Sequence, residues 1–88
     1  MYVYVVDEDR KLLGVLNGKE LLHAEPSAHL SDQMTTNLIT LNTESTIKDA
    51  SKLFARYGFR AIPIVDERES IIGVIPYRDV MDLKHRPA

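Results

Sequence analysis

A phrase repeated at a fixed interval constrains this chain more than any other feature. The stretch "VVDEDRKLLGVL", Val5 to Leu16, returns without a gap as "IVDERESIIGVI", Ile64 to Ile75, an offset of 59 residues. Val6, Asp7, Glu8, Gly14 and Val15 recur as Val65, Asp66, Glu67, Gly73 and Val74. The apolar positions between them also correspond, Val5 with Ile64, Leu12 with Ile71, Leu13 with Ile72 and Leu16 with Ile75. Each phrase reads as two apolar strands around a charged turn, a β-hairpin. Its return with the same turn chemistry marks an internal repeat.

The rest of the chain places helices around these hairpins. Tyr2–Val6 and Leu12–Leu16 are predicted strands, rich in β-branched and aromatic residues. Gly18–His23 is a short helix with Leu21 and Leu22 turned inward. Ala24–Thr36 is polar, carries a proline and reads as a linker, and Leu38–Leu41 is a short strand. The clearest helix runs from Thr46 to Tyr57. Thr46 and Asp49 open it as a capping box, and Ile47, Ala50, Leu53, Phe54 and Tyr57 recur on one face. Gly58 is placed to end it in a left-handed conformation. Strands follow at Ala61–Val65 and Ile71–Ile75. Pro76 then suits the first turn of a last helix, Tyr77 to about His85, where its missing N–H is no loss; Pro87 closes the chain. The second copy thus has the order strand, helix, strand, strand, helix. The first has only strand, strand, helix, with its opening strand and long helix expected before residue 1.

The bulk numbers narrow the classes of function. The 88 residues suffice for one small domain, and 44% apolar content is that of a globular chain. A net charge of −2 with no basic stripe argues against a nucleic-acid partner. The absence of cysteine removes disulfides, thiolate metal sites and thiol nucleophiles. No stretch approaches the roughly 20 apolar residues that span a bilayer, and no signal-peptide pattern follows Met1. There is no nucleophile beside a base and no Gly-rich phosphate loop, so the chain is not read as an enzyme.

The segment "LSDQMTTNLITLNTESTIKDASKLFARYGFRAIPIVDERESIIGVIPYRDVMD" resembles a complete cystathionine-β-synthase (CBS) domain. Its marks are "MTTNLITL", then "STIKDASKLFARYGFRAIPIVD", then "GVIPYRDV" in place of the family's Gly-apolar-apolar-Thr-x-x-Asp. "YVYVVDEDRKLLGVLNGKELL" resembles the C-terminal part of a preceding CBS domain. The spacing from "LL" through the proline to "SDQM" is most similar to the cytosolic CBS region of MgtE-type magnesium transporters. The resemblance implies an α/β fold of small sheets with helices packed on them. It divides the chain into residues 1–23, the end of a first CBS domain; 24–36, a linker; and 37–86, a complete second domain. It also implies a homodimer, a transmembrane domain elsewhere in the parent protein, and a place on the cytoplasmic side of an inner or plasma membrane.

Two sites follow from the resemblance. In CBS domains that bind adenosine nucleotides, a Thr or Ser hydroxyl and an Asp three residues later cap a helix and bond ribose or phosphate. Here those positions are Pro76 and Asp79 in the second copy and Asn17 and Glu20 in the first. Neither Pro76 nor Asn17 supplies a hydroxyl, so ATP or AMP is expected to bind weakly or not at all. Asp79 remains able to meet a ribose, with Arg60 and Ile62 expected on the cleft wall; its other role is to stabilise its helix N-terminus.

The second implied site is for Mg²⁺. Asp79 and Asp82, three apart, share a helix face. Two like charges there are relieved by a divalent cation that keeps several of its waters. Such transporters carry acidic residues on this helix and on the helix after the linker, where Glu44 and Asp49 fall. The other acidic residues, Asp7, Glu8, Asp9, Asp66, Glu67 and Glu69, sit in the hairpin turns as solvated groups. His23, His29 and His85 form no ligand set, and Met34 and Met81 are core filler. Gly14 and Gly73 are expected to admit close packing at the sheet. Three functions stay open on this evidence: ion-sensing regulation of a transporter, adenine-nucleotide sensing on an enzyme or transcription regulator, and dimerisation without a ligand.

Overall fold

The computed structural model describes the backbone of residues 1–84 and the side chains of residues 1–80. Asp82, Met81 and the terminal residues His85 and Pro87, on which sequence expectations fell, therefore lie outside the described side chains. The elements in chain order are β1 (Tyr2–Val6), β2 (Leu12–Asn17), α1 (Gly18–His23), α2 (Leu30–Gln33), β3 (Leu41–Asn42), α3 (Ile47–Tyr57), β4 (Ala61–Val65), β5 (Ile71–Pro76) and α4 (Tyr77–Lys84). β1 and β2 form one sheet; β3, β4 and β5, in that order, form the other.

The two hairpins are the same object twice. Tyr2 pairs with Asn17 and Val5 with Gly14 in one; Ala61 pairs with Pro76 and Ile64 with Gly73 in the other. Both shift register at the last pair, between Val5 and Val6 and between Ile64 and Val65. The cause lies in the turns. Asp7 Oδ1 accepts the N–H groups of Asp9 and Lys11, each at 2.9 Å. Asp66 Oδ1 accepts those of Arg68 at 2.9 Å and Ser70 at 3.0 Å. An aspartate that binds its own backbone in this way fixes a turn locally. The left-handed residues Arg10 (φ 66°) and Glu69 (φ 64°) complete each turn.

The hairpins dock turn to turn. Leu12 N–H donates to the Glu69 carbonyl at 3.0 Å, and its repeat mate Ile71 N–H donates to the Arg10 carbonyl at 2.9 Å. Lys11 and Ser70 face each other between these bonds. The pair of reciprocal bonds defines a pseudo-two-fold axis. The strand starts obey it as well: Gly18 N–H meets the Met1 carbonyl at 2.8 Å, and Tyr77 N–H meets the Arg60 carbonyl at 2.7 Å.

The main core cluster belongs to the second copy, while Leu16 of the first copy is also fully buried. Leu41, Ala50, Phe54, Ile62 and Val80 are buried together, with Leu53, Phe59, Ile64 and Ile75 against them. α3 forms as its sequence dictates. Thr46 and Asp49 exchange capping-box bonds of 2.9 and 3.1 Å, and Gly58 ends the helix at φ 65°. Ala50 and Phe54 take the buried stripe, whereas Ile47 and Tyr57 at its ends stay exposed.

Several expectations need correction. Only Leu41 and Asn42 join the parallel ladder, against Ile64 and Val65; Leu38 and Ile39 leave the sheet to line a cavity between the copies. The polar segment 24–36 contains the turn α2, and Thr35 bridges to Val15 through two bonds of 3.0 and 2.9 Å. Met34 anchors it, since a Cβ on Gly14 would lie 2.6 Å from Met34 Sδ. Gly73 has no such neighbour among the described residues; of these its Cβ would meet only Ile64 Cδ1 at 3.8 Å, so none of them requires glycine there. Leu22 is exposed, because adjacent residues on a helix as short as α1 cannot share its buried side with Leu21.

Candidate functional site

The alternation Tyr2-Val3-Tyr4-Val5 sends both tyrosines to one side of β1. Ala61 and Pro63 are their mates on β4, and the four residues wall a cavity of about 240 Å³ between the two copies. Asn17 and Glu20 line it at the start of α1, Leu38 and Ile39 from the connecting segment, and Phe59 from the approach to β4. Two residues expected at a site, Asn17 and Glu20, are thus brought together. Asn17 Oδ1 caps α1 by accepting Lys19 N–H at 3.0 Å, which leaves its NH₂ as the polar group for the cavity.

Tyr4 is the unforeseen member. Its hydroxyl is buried and has no hydrogen-bond partner among the described residues. Burial, and then the neighbouring Tyr2 phenol, hold its pKa above the ordinary 10.0. The two rings meet edge to face at 6.5 Å, and Tyr2 Oη accepts Arg60 N–H at 3.4 Å. A buried hydroxyl without a partner is costly; Tyr4 itself lines the cavity, while its oxygen is closed off from solvent. The arrangement suits a flat ligand with a hydrogen-bonding edge. The repeated Tyr at positions 2 and 4 was the available sequence signal.

The other predicted group lies elsewhere. Pro76, Asp79 and Arg60 line a wider groove of about 940 Å³ between the end of α3 and the start of α4, with Phe54, Gly58 and Tyr77. The Phe54 and Tyr77 rings meet edge to face at 5.4 Å across its floor. Asp79 is exposed there. Ile62, expected on the cleft wall, lines neither cavity. It is fully buried in the core, because strand alternation turns it to the helix side while Ala61 and Pro63 face the cleft.

The candidate metal ligands divide between two places. Glu44 and Asp49 stand at the start of α3 and Asp79 beside its end, a helix length of about 16 Å away. Asp49 already serves as a cap, and the Thr46 N–H it accepts, then the Thr46 hydroxyl, hold its carboxyl below the usual 3.8. Among the described residues no three His, Cys, Asp or Glu side chains converge. His29 meets only Asp32, at 3.8 Å on the surface. No described helix is long and apolar enough to cross a membrane.

Comparison with known proteins places this geometry. The family model of the CBS domain matches residues 28–86. The magnesium transporter MgtE of Bacillus subtilis is 33% identical over 87 residues, 99% of this chain and 19% of the transporter. Inosine-5'-monophosphate dehydrogenase of Aquifex aeolicus is 38% identical over 89 residues, 97% of this chain and 18% of the enzyme. The chain therefore spans about a fifth of the length of these curated relatives. Among solved structures, the cytosolic domain of the Mg²⁺ channel MgtE in complex with ATP superposes with a TM-score of 0.90 at 33% identity, over 93% of this chain and 33% of that one. With the repeated hairpins, the α/β architecture and the matched family model in agreement, the chain belongs to the CBS-domain family.

Proposed function

We propose that this chain is the regulatory CBS module of an MgtE-like magnesium transporter, non-catalytic and facing the cytoplasm. In this reading residues 1–23 end a first CBS domain, 24–36 connect, and 37–86 form the second. The observation that carries a ligand-sensing role is the cleft between the copies, lined by Tyr4, whose hydroxyl has no partner among the described residues. Small-molecule sites span about 300–1,000 Å³, so this cleft takes a base and ribose and leaves phosphates toward solvent. The adenine edge would meet Tyr4 and the Asn17 amide, and the Phe59 and Tyr2 rings would cover the base. The likeness to an ATP-bound MgtE domain supports this class of ligand.

Mg²⁺ enters the same reading through Asp79, which is exposed, and Asp82, the two carboxylates to be completed by acidic groups on another surface. One or two carboxylates bind Mg²⁺ loosely, because the ion gives up its waters reluctantly. The ion would act by binding one packing of the parent better than another. In the full-length parent, Asp79→Asn with Asp82→Asn should weaken closure by Mg²⁺ and leave conduction intact. Superimposable flux curves against cytosolic Mg²⁺ would remove both residues from sensing.

The cleft is tested by calorimetry and amide-shift titration with AMP and ATP. Weak, saturable binding with shifts at Tyr4, Asn17 and Phe59 is expected. Tyr4→Phe should weaken it about 3- to 10-fold, the loss of one hydrogen bond. No response at millimolar nucleotide, or an unchanged Tyr4→Phe affinity, would overturn the assignment.

A further inference from the structure

Of the asparagines in the chain, Asn17, Asn37 and Asn42, only Asn17 is followed by glycine. The following residue matters because its amide nitrogen is the nucleophile that can close a ring on the asparagine side chain. A Cβ on that residue hinders the approach, and glycine has none. Leu38 and the β-branched Thr43 follow the other two. The fold adds further conditions at Asn17. The residue is exposed, so water reaches it. Its Oδ1 accepts the Lys19 N–H at 3.0 Å, a donor that stabilises the negative charge this oxygen acquires when a nucleophile adds to Cγ. The Gly18 N–H is meanwhile engaged by the Met1 carbonyl at 2.8 Å. That bond stands at the end of the β1–β2 ladder, the part of a sheet that opens most readily. Asn42 makes a matched comparison: it is exposed, and its Oδ1 accepts the Glu44 N–H at 2.8 Å. It differs in having Thr43 as its follower. The repeat mate of Asn17–Gly18 is Pro76–Tyr77, which has no side-chain amide.

We propose that Asn17–Gly18 is a site of spontaneous deamidation, gated by the bond between Gly18 and Met1. When that bond opens, the Gly18 nitrogen gives up its proton to solvent and bonds to Asn17 Cγ. The bond from Cγ to the side-chain nitrogen breaks, and ammonia leaves with the proton that Gly18 lost. The product is a five-membered imide. Water, the one co-reactant, opens this ring at either carbonyl and leaves aspartate or isoaspartate. No oxidation or reduction is involved. While the Met1 bond is closed, the Gly18 nitrogen is held in the ladder and Asn17 stays extended at ψ 133°, so the folded chain reacts slowly. Aspartate keeps an oxygen for the Lys19 N–H, whereas isoaspartate inserts an extra main-chain atom between β2 and α1. Either product adds a carboxylate at the cleft that Asn17 and Glu20 line.

The test ages the full chain in buffer, folded and in denaturant, and maps its peptides by mass spectrometry with an isoaspartate-specific assay. Exchange of ammonia for water is expected first in the peptide that carries Asn17, with both aspartate and isoaspartate present. The unfolded chain should react about tenfold faster or more, because the gate is gone. Gly18→Ala should slow the reaction about tenfold by hindering the nucleophile. The added methyl meets Met1 Cε at 2.8 Å, the tip of an exposed side chain that can swing aside, and a circular dichroism melt verifies the fold. The same slowing in denaturant separates the chemistry at Gly18 from any change in the gate. Asn42 should keep its amide after Asn17 has reacted. Reaction first at Asn37 or Asn42, or a Gly18→Ala rate equal to the parent's in denaturant, would overturn the site. Equal rates in the folded and unfolded chain would overturn the gate. A folded chain that stays unreacted long after the unfolded one has converted would overturn the proposal for the native protein.

Discussion

The two hairpins share register, bulge, aspartate-bound turns and left-handed turn residues, yet they differ in almost everything that surrounds them. The second hairpin carries α3 and α4 on one face, and Ile62 is fully buried there. Its mate Val3 is only half-buried. Conversely, the outer edge of β2 is closed by Met34 and Thr35, whereas none of the described residues closes that of β5. The difference separates two levels of cause. Turn chemistry acts over four or five residues and reproduces itself wherever the sequence recurs. Burial depends on which distant segment arrives, and so it does not repeat with the sequence.

The sharpest way to break this comparison is truncation of the paired core positions. Ile62→Ala should destabilise by about 3 kcal/mol, as for a large apolar side chain removed from a packed core. Val3→Ala should cost about 1 kcal/mol or less, in keeping with partial burial. Denaturant unfolding measures both, and equal losses would show that the first copy has an equally well-packed face.

The glycine pair comes next. Gly14→Ala forces Met34, including its Cβ at 3.0 Å, to move, and should destabilise by about 1–2 kcal/mol. Gly73→Ala meets ordinary contact distances and should be neutral or stabilising by about 0.5 kcal/mol through the unfolded chain. A thermal melt on each variant orders them. A Gly73→Ala loss matching that of Gly14→Ala would mean that the β5 edge is already covered.

The smallest effect concerns α3, an element with no mate among the described residues of the first copy. The Asp49 carboxyl is held below 3.8 by accepting the Thr46 N–H. Its folded pKa being depressed, the capping-box contribution is present above the unfolded value and is lost as pH falls through the folded one. Asp49→Asn should therefore be less stable than the parent at neutral pH, and the gap should close below pH 3.8. A gap that stays constant with pH would assign the cap to hydrogen bonding without charge.

These contrasts also explain what the sequence disclosed. The repeat, both hairpins, the Thr46–Asp49 box and the Gly58 terminus were legible because each is written within a few neighbouring residues. Asn17 and Glu20 were singled out through the family pattern, and both line the cleft between the copies. Ile62 was misplaced, because only the arrival of α3 and α4 decides which face of β4 is covered. The polar segment 24–36 carries no periodic signal, yet Met34 over Gly14 and Thr35 on Val15 hold its end in place. Tyr4 was not singled out, because a tyrosine in a strand is ordinary. What distinguishes it is that its buried hydroxyl finds no partner among the described residues, a property of the assembled fold.

The docked turns carry a consequence for how such a chain can diverge. In an isologous assembly of two identical subunits, a residue on the two-fold axis must face itself, and every contact occurs twice. Covalent duplication lifts that requirement. Here the axial position holds Lys11 opposite Ser70. Lys11 Nζ reaches Glu69 Oε2 at 4.0 Å, while the Ser70 hydroxyl donates to the Asp9 carbonyl at 3.0 Å. The backbone still keeps the symmetric bonds of Leu12 and Ile71, but the side chains across the axis have become a heterologous pair. Register is thus enforced by the main chain, and each half is free to change its cleft, one keeping Asn17 and Glu20 and the other Pro76 and Asp79, without the other having to follow.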